Sequence, residues 1–422
     1  MGKEIYIRSI LLCTVFIFCF NAYSQNDSTS LVVSRLSTAP VGDDDALRHF
    51  SENQEKGFRA SDLPNFVIYN NKNFAFGIGG YVNLRVGYDV NGVVNNNDFY
   101  TSLIPVADRL SKHKFFMDGT TSRLFFKTVA NAPVLGLVTA YIETDFRGAS
   151  NNLRMRKGYI EFKGFMFGKN FTSLKDTEAV PPTVDFQGPN SLIHKYSFMV
   201  RYEYNHDDKW KIGLAVENPD ISAVYADNYS AGDQKMPDIP MWITRYWNNG
   251  KGHIRFASVI RNFYYRDLVA DKTRSELGWG LNLSMASPLN RKFKVYGETV
   301  YGKGMAQYIQ DLNGNGFDLV ADGRNPGRMQ TLRTFGWYGA LQYNFTDKWF
   351  CSGTYGYVRV YGREGFNSPD TYRLADYVAV NSCYNILPAC QIGLEYLYGR
   401  RKNFSGDNGT ANRIYAMIQY NF

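Results

Sequence analysis

The chain has 422 residues, with 47 Lys and Arg against 39 Asp and Glu for a net charge of +8, and 16% of its residues are aromatic. Thirty-one Tyr, 30 Phe and 38 Gly describe a β-rich protein. Past the N-terminal segment no run of about 18 apolar residues occurs, which excludes a membrane-spanning helix, and the basic residues are spread too evenly for a nucleic-acid-binding block.

The first 24 residues read as a secretory leader. Lys3 and Arg8 precede the apolar run Ile10–Phe20, and Ala22, Tyr23 and Ser24 end in a small-residue exit before Gln25. The apolar run is too short to cross a bilayer, which takes about 20 residues. Residues 25–70 form a polar periplasmic segment, with Asp43, Asp44 and Asp45 and no sustained heptad, and the barrel is expected over 71–422. Cys351, Cys383 and Cys390 remain once the leader is removed; they read as small apolar side chains on strands, or as one disulfide and a thiol.

From residue 74 onward the pattern alternates. About sixteen segments with period two follow: 74–90, 118–130, 134–146, 152–163, 165–171, 196–205, 210–217, 239–247, 251–263, 273–286, 292–303, 332–345, 348–361, 371–384, 389–401 and 411–422. In 273–286 one face carries Leu277, Trp279, Leu281, Leu283 and Met285, and the other Arg274, Glu276, Asn282 and Ser284. The last segment sets Ile414, Ala416, Ile418, Tyr420 and Phe422 against Arg413, Tyr415, Met417, Gln419 and Asn421. Short turn-like gaps alternate with longer ones, and those near 91–117, 172–195, 218–238 and 304–331 are the longest. That is the layout of an all-β transmembrane antiparallel barrel with short periplasmic turns and long extracellular loops, closed because lipid tolerates no open sheet edge. The partner expected of its outer face is outer-membrane lipid.

The inward faces collect charge. Arg85, Arg123, Lys127, Arg154, Arg156, Arg201, Arg255, Arg261 and Arg274 fall on them, together with Glu143, Asp145, Glu161, Glu203, Glu298 and Glu395. Permanent guanidinium charges along a pore favour anions and hold off cations, so the reading is an anion-selective porin. Opposed charges that merely pair across the lumen are the bland alternative. A sugar-specific porin would concentrate aromatics inward, and an adhesin or structural barrel would need no conducting lumen. Catalysis is not expected: His49, His113, His194, His206 and His253 have no Ser partner in a recognisable motif, and no GxSxG occurs.

Three stretches carry a family likeness. Tyr141–Phe146, Leu153–Tyr159 and Phe167–Ser173, followed by Asp176–Ser191 with its Pro181-Pro-Thr-Val-Asp-Phe-Gln-Gly-Pro189, resemble DcaP-like outer-membrane porins. Glu395–Arg401 with Asn412 and Arg413 is similar to that family's last hairpin. The resemblance, over residues 70–422, implies a sixteen-stranded barrel, a homotrimer and passage of small anions such as dicarboxylates. It also implies that Arg154 and Arg156 line the pore and that the 172–195 loop folds inward to narrow it, which would put Asp176, Glu178 and Asp185 at the constriction. Members with a helical periplasmic extension differ from this chain, whose residues 26–66 are short and polar.

One loop has a second reading. Asp311, Asn313 and Asn315, then Gly316 and Asp322, keep the spacing of an EF-hand-like calcium loop, with Asp where Glu normally closes the site. The alternative is an Asn/Gly-rich turn that holds no ion; no cofactor is otherwise required.

Overall fold

A computed structural model describes residues 66–71, 73–92, 94, 97–106, 112–362 and 368–422. The leader expected at 1–24 lies outside the described residues, as does the polar segment as far as residue 65. Sixteen antiparallel strands close into a barrel. The first half comprises β1 (Phe74–Asn91), β2 (Lys112–Asp118 and Arg123–Ala132), β3 (Gly136–Asp145), β4 (Arg154–Phe162), β5 (Phe165–Phe171), β6 (Tyr196–His206), β7 (Trp210–Glu217) and β8 (Ile239–Trp247). The second half comprises β9 (Gly252–Asp267), β10 (Lys272–Pro288), β11 (Phe293–Lys303), β12 (Arg333–Asn344), β13 (Trp349–Tyr361), β14 (Tyr372–Leu387), β15 (Cys390–Asn403) and β16 (Asn408–Asn421).

Closure is made by β1 on β16, in register from Tyr81↔Asn421 onward. Gly80 and Phe422 exchange both backbone hydrogen bonds, each 3.0 Å, at the end of the chain. Below that point a further short strand, Phe66–Asn71, takes over the same edge of β1 and pairs Phe66 with Ile78. No stretch of β1 is thus left with an open edge where β16 stops.

The alternation sorts the two faces as period-two patterning requires. Leu277, Leu283, Ile418 and Tyr420 stand exposed on the outside, while Arg413, Tyr415 and Gln419 are buried inside. Apolar outside and polar inside is the inverse of a soluble fold and suits a lipid solvent. The second strand runs longer than its apolar pattern predicts. Its upper part begins at Lys112, and Gly119–Ser122 loop out before pairing with β1 resumes at Arg123. Asp118 stabilises the break by accepting from Thr120 N–H at 2.9 Å and Thr120 Oγ1–H at 2.6 Å. Cys351, Cys383 and Cys390 are thiols on β13, β14 and β15.

Candidate functional site: the lumen

The 172–195 loop leaves β5, crosses the lumen and returns to β6. Nearly all of it is buried, and its backbone is held by side chains of the wall. Glu217 on β7 accepts from Ser173 N–H at 2.6 Å. Glu298 on β11 accepts from Ile193 N–H at 2.8 Å. Glu395 on β15 accepts from Val184 N–H at 2.9 Å and Asp185 N–H at 2.6 Å. Tyr338 Oη–H donates to the Ala179 carbonyl at 3.1 Å, and Ser352 Oγ–H to the Pro182 carbonyl at 2.8 Å. Glu298 and Glu395, inward acids in the alternating pattern, therefore act as anchors. A carboxylate that takes backbone N–H groups satisfies donors which a buried loop could not otherwise pair.

The loop's own acids turn the same way. Asp176 bonds His253 Nε2 at 2.8 Å and accepts from Ser284 Oγ–H at 2.6 Å. Burial pushes the Asp176 carboxyl up, but His253, Arg255 and Ser284 outweigh it and bring it down to about 2. Glu178 is half exposed and accepts from Tyr246 Oη–H at 3.4 Å. Asp185 accepts from Tyr377 Oη–H at 3.1 Å and lies near enough to Arg85 to act on its charge. Asp176 and Glu178 thus engage β8–β10 and leave the arginines of the opposite wall alone.

That opposite wall, β1–β4, is basic, and the loop meets it through Phe186 and Gln187. Arg85 contacts Asp98 at 3.3 Å and also pairs with Asp118. Arg123 lies 3.3 Å from Glu143. Arg147, just past β3, donates to Asp98 at 2.9 Å. Arg154 grips Asp145 through Nε at 3.0 Å and Nη2 at 2.6 Å. Arg156 bridges Glu143 at 2.7 Å and Asp145 at 2.9 Å. Lys157 approaches Glu143 at 3.9 Å. Six cations thus share the four carboxylates Asp98, Asp118, Glu143 and Asp145.

A β-bulge produces this density. On β4 the register slips between Glu143↔Lys157 and Thr144↔Met155, so Arg156 is extra. Met155 points outward and is exposed, while Arg156 and Lys157 are both buried on the inside. Bulges re-aim side chains in this way, and here three cations within four residues face the lumen. Phe186 of the inward loop stands among the guanidinium groups, with Arg147, Arg156, Arg85 and Arg123 at 5.0, 5.5, 5.6 and 5.8 Å from its ring centre.

A cavity of about 470 Å³ opens beside this wall, bounded by Arg147, Arg154, Arg156, Phe186, Lys195 and Asp311, among others. Exposure separates the cations. The Arg154 side chain is 43% exposed, whereas that of Arg156 is 2% exposed, so Arg154 is open to the cavity and Arg156 is enclosed behind it. His194 also lines the cavity; burial, then Lys175, Arg156 and Arg123, hold its imidazole well below the usual histidine range and keep it neutral.

The other expected pore residues have other surroundings. Lys127 and Arg201 share their wall with Glu161 and Glu203. Arg255 donates to the carbonyls of Lys175 (3.1 Å) and Ser173 and so ties down the start of the inward loop. Arg261 is sealed among Asp238 and Asp318, both at 3.2 Å, and the Asp220 carbonyl, so it faces no passage. Arg274 pairs with Asp267 at 3.0 Å near the loop-side rim. Arg147, Lys157, Phe186 and Lys195 were not singled out by alternation, since they lie in loops or at a bulge.

The side chains expected to form a calcium loop are engaged in hydrogen bonds with the protein. Asp311 accepts from Thr101 Oγ1–H (2.7 Å), Ser102 N–H (2.9 Å) and Tyr372 Oη–H (2.9 Å), and so pins the 304–332 loop to the 92–111 loop and to β14. Burial holds its carboxyl above the usual carboxylate range. Asn313 and Asn315 donate their amides to the Gln307 and Asp311 carbonyls. Asp322 accepts from Arg324 N–H and Asn325 Nδ2–H. Among the described residues no group of three or more His, Cys, Asp or Glu is placed to hold a metal ion.

Residues 69–422 match the model of the DcaP outer membrane protein family. The chain belongs to that family. Among solved structures it is similar to the outer membrane channel DcaP of Acinetobacter baumannii, at 20% identity and a TM-score of 0.73, over 84% of this chain and 99% of that one. It is also similar to OmpT of Vibrio cholerae (11% identity, TM-score 0.55, covering 84% and 99%) and to an anion-selective porin from Comamonas acidovorans (10%, 0.54, covering 83% and 100%). No curated protein matches the sequence. The family and the sixteen-stranded barrel place the protein in the bacterial outer membrane as a channel.

Proposed function

We propose that the barrel is a passive channel for small anionic solutes of the dicarboxylate type. One observation carries the reading: the inward loop turns its carboxylates Asp176 and Glu178 toward β8–β10, while Arg147, Arg154 and Arg156 of the basic wall border the cavity. A carboxylate entering the cavity meets Arg147 and Arg154 directly and feels Arg156 behind them. In a confined, weakly screened space such charges act strongly on a passing ion. Their existing partners keep each site weak, so a bound anion can leave. The anion selectivity of the Comamonas porin is consistent with this reading. A sugar channel is less well supported, because two of the rings that border the cavity, Phe186 and Tyr196, are already engaged by guanidinium groups.

The test is the double substitution Arg154→Gln with Arg156→Gln. In planar bilayers under a chloride gradient the reversal potential should move toward cations, and dicarboxylate uptake should slow more than uptake of neutral sugars. An unchanged reversal potential in a folded double variant rejects the assignment.

The proposed assembly is a homotrimer of mature chains that begin at Gln25. Strands β5 and β7 have 7 and 8 residues. A tilted strand needs about 9–11 residues to span the apolar layer. Neighbouring copies covering β4–β8 would relieve that shortfall, and OmpT of Vibrio cholerae occurs in a trimer form.

A further inference from the structure

The outer surface carries a second group of cations, at the loop-side ends of β11–β15. Lys303 closes β11 and Arg333 opens β12, and the two are direct cross-strand partners. Arg359 on β13 lies opposite Phe335 and, on its other side, Leu374 of β14. Leu374 in turn pairs with Lys402 of β15, and Asp376 with Arg400. Alternation points all five cations outward: their neighbours Thr334, Val358, Val360 and Leu397 are buried inside, and the same outer column exposes Trp337 and Tyr355.

Company is what sets this patch apart. Among the described residues Asp376 is the only carboxylate that forms an ion pair with the patch; it is held by Arg400 Nη2 at 2.7 Å and by Tyr355 Oη–H at 2.6 Å, while Glu276, on the inner face of β10, acts on Lys303 only at longer range. Lys303, Arg333 and Arg359 form no ion pair among the described residues, and Arg359 Nε is buried with no hydrogen-bond partner. Like charges directly opposite each other on a sheet are destabilising. The arginines of the inner wall β1–β4 each meet a carboxylate, whereas Lys303 and Arg333 are set directly against each other. Directly beneath them, toward the membrane centre, lie the rings of Trp337, Tyr355, Phe335 and Tyr357, with Trp337 and Tyr355 5.3 Å apart. An aromatic girdle marks the depth of the lipid headgroups.

We infer that this patch binds the phosphate groups of a phosphorylated glycolipid of the outer leaflet. The chemistry fits. Strands two apart lie about 10 Å apart, so Arg333, Arg359 and Lys402 span a headgroup that carries more than one phosphate. Arg forks match phosphate oxygens, and basic clusters at the membrane surface recruit anionic lipid heads. The aromatic rings beneath meet the start of the acyl chains. The inference is independent of the lumen reading, since none of these side chains faces inward.

The probe is diphosphoryl lipid A, compared with its enzymatically dephosphorylated form, added to the full chain refolded in detergent. Bound lipid is counted by native mass spectrometry. The wild-type protein should retain the diphosphoryl lipid and not the dephosphorylated one. Lys303→Gln/Arg333→Gln/Arg359→Gln should weaken retention about tenfold or more with conductance and reversal potential unchanged, while Arg266→Gln, on the rim of β9, should retain the lipid fully. Equal binding of the two lipids by the wild type, or full retention by the triple variant, overturns the inference. If the triple variant does not fold, the two-lipid comparison on the wild type decides alone.

Discussion

Arginine is used on both surfaces of this barrel, in opposite company. Inside, on β1–β4, every guanidinium group described meets a carboxylate, and four of them gather round one phenyl ring. Outside, on β11–β15, Lys303 and Arg333 face each other with no acid between them. Both arrangements sit on the same kind of ladder, so strand geometry does not explain the difference. The compensating charge does. In the lumen the protein supplies it, through residues on neighbouring strands and on a loop folded inward. At the outer patch one aspartate, Asp376, pairs with a cation among the described residues, and the remainder is left to the surroundings.

The largest effect is expected where compensation is internal. Asp145 is fully buried and accepts from both Arg154 and Arg156. Asp145→Asn removes the negative charge from beneath two cations and should cost about 3 kcal/mol, read as a lower urea midpoint for unfolding from lipid vesicles. Anion selectivity should rise at the same time, because one more positive charge is left uncancelled beside the cavity. An unchanged midpoint would mean that the lumen pairs are not needed for stability.

A smaller effect concerns the loop. The Asp176 carboxyl is held at about 2, below its ordinary value, by His253, Arg255 and Ser284 acting against burial. A lowered folded-state value means that the stabilisation is complete above about pH 4, the value in the unfolded chain, and fades as pH falls toward 2. A shift of that size corresponds to about 2 kcal/mol. Single-channel recordings should stay quiet down to about pH 4 and grow noisy below it as the loop loosens from β9 and β10. Asp176→Asn should be noisy at neutral pH; a quiet trace from that variant would show that the other anchors suffice.

The smallest effect belongs to the outer patch when lipid is absent. In detergent, Arg333→Gln should change the unfolding midpoint by no more than about 0.5 kcal/mol, or raise it slightly by relieving repulsion from Lys303. A loss as large as that of Asp145→Asn would show that Arg333 has a protein partner, and the contrast between the two surfaces would collapse.

Much of this was legible in the sequence. Alternation located the strands because a barrel wall separates two solvents at every residue, so each position records which one it faces. The lengths of the gaps separated the rims. The likeness over 141–191 indicated the inward loop and the arginines beside it. What alternation could not register was a departure from itself. The bulge that turns Arg156 and Lys157 inward together depends on how β3 and β4 slip past each other, and nothing in Arg154-Met-Arg-Lys-Gly marks that slip. Nor could it tell a lining charge from an anchor or a sealed network. Glu395 and Arg261 sit on inward faces like Arg154, yet one holds loop amides some 210 residues away in the chain and the other is enclosed by Asp238 and Asp318.

The sequence by itself therefore determined the exported, lipid-facing barrel and the face on which each side chain lies, because these depend on local period and on the solvent each face meets. Only the tertiary structure decided which charges are matched, because partners such as Asp98 with Arg147 or Lys303 with Arg333 are brought together by loop path and strand register, and the energy of a charge depends on its nearest neighbours in space.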